Sequence, residues 1–383
     1  MYLDHNATTP VDSRVREAMQ PYLEAAFGNP GAAYALGREA KAALEAARET
    51  VAKLLGTGDK DEVVFVSSGT EADNLALAGA AFAYQERGRH IITTAVEHSA
   101  VLETCAALEQ RGFSVTHLPV DGQGMLDLDE LRRAIRPDTI VVSVMHANNE
   151  TGVLFPVGEV GAILRERKIL FHTDAVQSFG KVPVHVRELK IDLLSISAHK
   201  IYGPKGVGAL FVRRGVRLQP LLHGGAQERG RRAGTENLPG IVGLGEAARL
   251  RGLEMPGEEQ RLRPLRDRFE SAVLERIGGV RVNGQRASRL VHTSNLSFDG
   301  VEAQTLVASL DLERIAVSAG SACHVGSLQP SHVLRAMGLG REHVEGSIRF
   351  SLGRLTSEKD IDRVLEILPQ VVDRLRENAP VAG

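Results

Sequence analysis

Two residues carry the most chemical potential in this chain. Lys200 lies in Ser197-Ala198-His199-Lys200-Ile201-Tyr202-Gly203-Pro204, directly after the strand-like run Ile191–Ile196. A lysine at the end of a buried strand is placed for Schiff-base chemistry, because burial and nearby positive charge lower an amine's pKa and make it nucleophilic. The same residue also reads as an ordinary loop cation. Cys323 follows Ser318-Ala319-Gly320-Ser321-Ala322 and precedes His324-Val325-Gly326-Ser327. Those small residues have little to bury, so the segment reads as an exposed loop, where a thiol is reactive rather than structural. Cys105, in the helical pattern Val101–Leu108, reads as a core residue.

Further candidates fall after successive strand-like runs. Ser67-Ser68-Gly69-Thr70-Glu71 is a small-residue loop opening a helix. Its free N–H groups and hydroxyls suit a phosphate, and it also reads as a plain helix cap. Val96-Glu97-His98-Ser99 offers a histidine that can stack on a flat ligand, move a proton, or simply cap a helix. Asn148-Asn149 suits a turn or a ligand. In His172-Thr173-Asp174-Ala175-Val176-Gln177, Asp174 stands close behind a buried strand, where a carboxylate is costly unless paired. Metal binding by His172 and Asp174 lacks further ligands at suitable spacing, and no P-loop lysine follows the first strand.

These residues need a scaffold that brings strand ends together. Helical patterns cover 13–25 and 38–55, the second closing at Gly56. Short apolar runs at 63–66, 91–93, 114–116, 140–144, 169–171 and 193–196 then alternate with helical segments at 72–84, 100–110, 128–135 and 157–165. That alternation predicts an α/β fold: a three-layer α/β/α large domain around a mostly parallel sheet. The run 207–212 reads as a further strand that runs antiparallel. The alternation breaks near Leu253-Glu254-Met255-Pro256-Gly257, and shorter strands at 280–282, 293–298 and 348–351 with a closing helix at 357–377 predict a smaller α+β domain. The expected division is 12–252 for the large domain, with 1–11 and 253–383 forming the small one.

The 383 residues suffice for a large core, and two cysteines give no disulfide framework. A net charge of -2 gives no bulk pull toward nucleic acid or membrane. No apolar run is long enough to span a bilayer, and the first residues lack a signal-peptide pattern, so a cytoplasmic location is expected.

A phosphate loop, a ring-covering histidine, an asparagine, Asp-x-x-Gln and Ser-x-His-Lys, in that order, are what a pyridoxal phosphate site requires. The chain resembles the cysteine desulfurases of the class V aminotransferase family, of the type that supplies sulfur for iron–sulfur clusters. The likeness runs from Tyr2-Leu3-Asp4 and Ala7-Thr8-Thr9-Pro10 to Ile348-Arg349-Phe350-Ser351-Leu352-Gly353-Arg354. It includes Thr70-Glu71-Ala72-Asp73-Asn74, Glu97-His98, Asn148-Asn149-Glu150, Asp174-Ala175-Val176-Gln177, Ser197-Ala198-His199-Lys200 and Gly320-Ser321-Ala322-Cys323.

The resemblance implies a fold-type I pyridoxal-phosphate-dependent transferase, with the cofactor in the large domain and the catalytic cysteine loop in the small one. It implies that Lys200 bonds the cofactor aldehyde, that Asp174 keeps the ring nitrogen protonated, and that His98 stacks on the ring. Gln177 and Asn149 then bear on the phenolic oxygen, and Gly69, Thr70, Ser197 and His199 match the phosphate cradle. Thr235 matches a threonine that reaches the neighbouring subunit's phosphate, which implies a homodimer with shared sites. Arg349 matches the binder of the substrate carboxylate, with Asn149 and Asn29 as further candidates, and Cys323 matches the residue that takes sulfur from L-cysteine. The implied acceptor is an iron–sulfur scaffold or another sulfur-relay protein, and catalysis needs no metal. Rival readings are an aminotransferase, a selenocysteine lyase and a non-catalytic accessory subunit. The loop Gly31-Ala32-Ala33-Tyr34 departs from the serines and histidine common in the family, and the chain stops soon after its last helix.

Overall fold

The structure, a computed structural model, describes residues 1–319 and 330–378. Helices α1 (Ser13–Leu23) and α2 (Ala35–Leu55) come first. The apolar face of α2 (Ala40, Leu44, Ala47, Val51, Leu55) follows helical spacing, and its end is set by Gly56 in the left-handed region at φ 65°. The alternating segment follows as β1 (Val63–Val66), α3 (Gly69–Tyr84), β2 (His90–Thr94), α4 (Ser99–Glu109), β3 (Ser114–Leu118), α5 (Leu128–Ala134), β4 (Thr139–Ser143), α6 (Val157–Arg167), β5 (Leu170–Asp174), β6 (Leu193–Ser197) and β7 (Gly208–Val212).

These seven strands form one sheet in the order β1-β7-β6-β5-β4-β2-β3. It is parallel from β6 through β3, and β7 runs antiparallel to both neighbours, as expected from the sequence. Strand side chains alternate between two cores. Phe65, Ile92, Val142, Leu194 and Phe211 pack on one face with α2, α6 and the next helix. Val64, Ile91, Val141, Leu193 and Leu210 pack on the other with α3 and α4. Both faces are covered, so the strands read as apolar runs, and each such side chain contributes roughly 1.5–3 kcal/mol by leaving water.

The segment beyond the break at Leu253–Gly257 reads as a helix rich in Arg and Glu to about Arg276; the long helix α7 (Leu238–Arg276) ends there but begins earlier and runs through the break, including Pro256 and Pro264. Its first half places Leu238, Ile241, Leu244 and Ala248 in the large core. Its second half places Leu262, Leu265, Phe269 and Val273 in another. Between Arg251 and Leu262 no residue is buried. The sequence therefore loses its apolar period where the helix passes from one core to the next. Proline removes one helical hydrogen bond, and packing on both sides holds the helix across the gap.

The second core lies against β8 (Val280–Val282), β9 (Thr293–Phe298), β10 (Ser318–Ala319) and β11 (Ser347–Ser351), an antiparallel sheet in the order β10-β11-β9-β8. Helices α8 (Ala303–Leu312) and α11 (Glu358–Glu377) accompany it, while α9 (His332–Ala336) and α10 (Arg341–Glu345) place Val333, Leu334 and Val344 in the large core. The first residues also join this sheet: Tyr2 bridges Ala316, Asp4 bridges Ser351, and Leu3 is buried in its core.

Candidate active site

A cavity of about 360 Å³ opens at the carboxyl ends of the parallel strands, where ligands collect in such sheets. Its size falls in the small-ligand range of roughly 300–1,000 Å³. Each strand end contributes one feature. After β1, Ser68 caps α3 by accepting from the Glu71 N–H at 3.1 Å, so Gly69 and Thr70 form the helix's first turn. A Cβ on Gly69 would come within 2.7 Å of a Val176 methyl, so the close approach of this backbone to Val176 and Ser197 requires glycine. After β2, His98 caps α4: its Nδ1 accepts from the Ala100 N–H at 3.0 Å, leaving the neutral ring's proton on Nε2. The capping and the lining roles therefore coexist in one residue.

After β4 the chain supplies Met145 and Asn149, and β5 ends on Asp174. The Asp174 carboxylate is deeply buried and accepts from the Val176 N–H at 2.8 Å. Burial raises its pKa, and His98 and Lys200 oppose that rise. Gln177 donates to the Asn6 carbonyl at 2.9 Å and accepts from Lys181 at 3.0 Å. After β6, Ala198–Lys200 makes a single 3₁₀ turn. The Lys200 amine donates to the carbonyls of Asn6 at 2.6 Å and Ala7 at 2.8 Å. Thr9 pins this turn by donating its N–H (2.9 Å) and hydroxyl (3.0 Å) to the His199 carbonyl, and the His199 ring meets the Thr8 hydroxyl at 3.1 Å. Burial, then Lys200, pushes His199 down to about 4.

Arg349 reaches the cavity from β11 in the other sheet. It is 1% exposed, and its guanidinium donates to Asp4 at 2.8 Å and to the Asn149 carbonyl at 2.9 Å. Its buried Nε has no partner among the described residues. Two of the guanidinium's five N–H donors fix its direction, and three remain, the buried Nε–H among them.

Not every expected residue meets here. Asn29 is exposed, outside the cavity lining, and its Oδ1 accepts from the Gly31 N–H at 2.9 Å. An asparagine two residues before a glycine in a turn satisfies its own backbone, so this chain's Asn29 does not join this cavity. Thr235 is also exposed and lines a separate hollow with Arg232 and Glu236. Cys323 lies outside the described residues. Cys105 is fully buried, and burial pushes its thiol up to about 12. His172 holds Ser143 at 2.8 Å and Ser195 at 3.0 Å with its two ring nitrogens, and no group of residues suited to a metal occurs among the described residues.

Asp73 and Asn6 are among the cavity residues that went unassigned in the sequence. Asp73 is fully buried beside Asp174, and burial holds its pKa well above the usual carboxylate range. Its signal was its spacing: Gly69 and Asp73, four apart, share one face of α3. Asn6 sits between motifs that drew notice for their likeness alone. Nothing local marks its carbonyl as the acceptor for Lys200.

The cavity fits pyridoxal phosphate on two observations. The buried Asp174 carboxylate needs a cationic partner, which a ring N–H⁺ provides. The tight glycine turn at the α3 N-terminus lies beside Ser197, a setting suited to a phosphate.

A family model described as Aminotransferase class-V matches residues 1–364. The chain belongs to the class-V aminotransferase family. Among curated members, the protein named cysteine desulfurase IscS from Dictyoglomus turgidum is 51% identical over 380 residues, covering 99% of this chain and 96% of that protein. Among solved structures, a NifS-like protein aligns with a TM-score of 0.92 at 39% identity, covering 98% of this chain and 99% of that one. A structure described as SspA in complex with cysteine aligns with a TM-score of 0.81 at 37% identity, covering 92% and 98%. Family membership accounts for the sheet order, with a fold-type I large sheet and its appended smaller one.

Proposed function

We propose that this protein is a pyridoxal-phosphate-dependent cysteine desulfurase. The observation that carries the reading is the convergence in one cavity of Lys200, Asp174 and His98 with Arg349 from the second sheet. Relatives half identical over the full length and named for this activity support the reaction.

Bound in the cavity, pyridoxal phosphate supplies an electron-withdrawing ring that stabilises negative charge at the carbon bearing the substrate amine. Lys200 would provide the amine that holds its aldehyde and, once released, a base for the substrate. Asp174 would keep the proton on the ring nitrogen. Gly69, Thr70, Ser197 and His199 would hold the phosphate. His98, fixed as a helix cap, would cover the ring. Gln177 and Asn149 would bear on the phenolic oxygen. Arg349, its direction set by Asp4 and the Asn149 carbonyl, would orient the substrate carboxylate with its remaining donors. Cys323 takes the sulfur: the substrate C–S bond breaks, an S–S bond forms, and L-cysteine plus the thiol become L-alanine plus a persulfide.

The division into 12–252, and 1–11 with 253–383, is proposed with the site between them; the packing of Leu3 against the small sheet supports the placement of the N-terminus. Exposure of Thr235, apart from this chain's own cavity, supports a homodimer in which it serves the neighbouring site. The sulfur passes to an acceptor protein, an iron–sulfur scaffold or a sulfur relay. Among the described residues no helix is long and apolar enough to cross a membrane, and the protein is proposed to act in the cytoplasm. The test is Cys323→Ala: the variant should bind cofactor as wild type does and release no sulfide from L-cysteine. Sulfide release at the wild-type rate would remove Cys323 from the mechanism.

A further inference from the structure

Asn6 is 1% exposed, and the structure uses each of its polar groups. Its N–H donates to the Ser351 hydroxyl at 2.9 Å. Its Nδ2 donates to the Thr293 hydroxyl at 2.9 Å and to the Asn149 carbonyl at 3.2 Å. Its Oδ1 faces His292 Nε2 at 3.1 Å. A carbonyl only accepts, so the group facing Asn149 must be the amide nitrogen, and Oδ1 must then accept from a His292 Nε2–H. The Asn6 carbonyl accepts from Lys200 Nζ at 2.6 Å and from Gln177 Nε2 at 2.9 Å. A buried amide held at every atom has one orientation, and so does the peptide attached to it.

Two consequences follow from this network. The amine of Lys200 rests on two carbonyls, those of Asn6 and Ala7, whose dipoles favour an N–H donor and most of all a charged one. The same Asn149 carbonyl that accepts from Asn6 also accepts from Arg349. One residue, anchored in the small sheet through Thr293 and Ser351, therefore touches both the carbonyl pair under the amine and the Asn149 carbonyl that, with Asp4, directs the guanidinium.

We propose that Asn6 is a positioning residue which, through its own carbonyl, holds the Lys200 amine whenever that amine is not bonded to the cofactor. The inference rests on the cofactor reading above. When an incoming amine replaces Lys200 on the aldehyde, the released Nζ gains the Asn6 and Ala7 carbonyls as partners, and this stabilises the exchanged state. Asn6 reaches the chemistry through its carbonyl's hydrogen bond to Lys200, so it acts through the lysine. Removing its side chain frees the peptide to turn and weakens the hold. The exchange equilibrium then moves back toward the lysine-linked form.

The holoenzyme's absorbance on titration with methylamine, and separately with L-alanine, tests this. Methylamine exchanges with Lys200 but offers no carboxylate to Arg349. For Asn6→Ala, both amines should bind about tenfold more weakly, the loss of one charge-assisted hydrogen bond, with cofactor content unchanged. Thr293→Val removes one acceptor from the Asn6 amide at nearly constant shape and should shift both in the same direction by about threefold. It decides the matter alone where Asn6→Ala does not fold. A merely structural role lowers the melting temperature and leaves both affinities at their wild-type values, which overturns the proposal. Weakening of L-alanine alone also overturns it, by placing the effect on Arg349. A wild-type protein that shows no lysine-linked absorbance refutes the cofactor reading, whereas normal wild-type exchange with unmoved variants refutes only the role of Asn6.

Discussion

Replacing Asp174 with Asn separates what this carboxylate costs the fold from what it gives the cofactor. Asp174 is buried at the end of β5, with its Oδ1 accepting from the Val176 N–H at 2.8 Å. Asparagine keeps that acceptor and nearly the same shape. It removes the charge and turns an amide donor toward the cavity, where a ring N–H⁺ would meet another donor. Removing one partner of a buried, hydrogen-bonded charge pair costs about 2–5 kcal/mol. The cofactor should therefore bind roughly 30- to 5,000-fold more weakly. The protein without cofactor should respond in the opposite sense. There burial raises the carboxylate's pKa against the pull of His98, the Val176 N–H and Lys200, so the folded state favours the protonated form and stability falls as pH rises above the unfolded value. Asp174→Asn, which cannot ionise, should therefore raise the melting temperature of the stripped protein by a few degrees. The assay is absorbance titration of stripped protein with pyridoxal phosphate, paired with thermal melts before and after loading. Wild-type cofactor affinity in the variant refutes the charge pairing. A lower melting temperature of the stripped variant refutes the burial argument, because it means Asp174 already has its partner within the protein.

Two further outcomes follow from the same geometry. Glu97 accepts from Met145 N–H at 2.9 Å and from the Thr94 hydroxyl at 2.8 Å, and burial raises it from 4.5 to about 8. The folded state thus binds more protons between those values, and stability falls as pH rises through that window. Glu97→Gln should match wild type near about pH 5 and melt a few degrees higher near about pH 9; parallel melting curves across that range would contradict it. Arg349→Lys replaces a planar fork by a point charge. Cofactor content should stay at the wild-type level while L-alanine binds about 10- to 150-fold more weakly, read by absorbance, and methylamine binds unchanged; equal loss for both ligands would remove the carboxylate role.

The fold was legible wherever burial imposes a period. The strand runs are apolar because both faces of the large sheet are covered, and Gly56 ends α2 as its type suggests. The first half of α7 and its continuity with the Arg- and Glu-rich half escaped the sequence because composition reports burial rather than backbone: no residue between Arg251 and Leu262 is buried, so the apolar period vanishes although the backbone continues. In the cavity, Lys200, Asp174 and His98 announced themselves as unusual residues at strand ends, whereas Ser197 had a role only through the likeness. Arg349 was visible only through likeness, since a buried arginine on a strand carries no local mark of what it faces. Asn6 acts through a backbone carbonyl, which every residue possesses, and so no residue type could reveal it. Asn29 shows the reverse case: a residue type suited to a ligand that serves its own turn.

The most direct test follows the purified protein's absorbance on addition of L-cysteine while measuring sulfide and alanine together. A desulfurase shows a lysine-linked cofactor band that changes with L-cysteine, and under reducing conditions it forms sulfide and L-alanine in equal amounts over many turnovers. A colourless protein, or a coloured one that passes the amino group to a keto acid without releasing sulfide, contradicts the account.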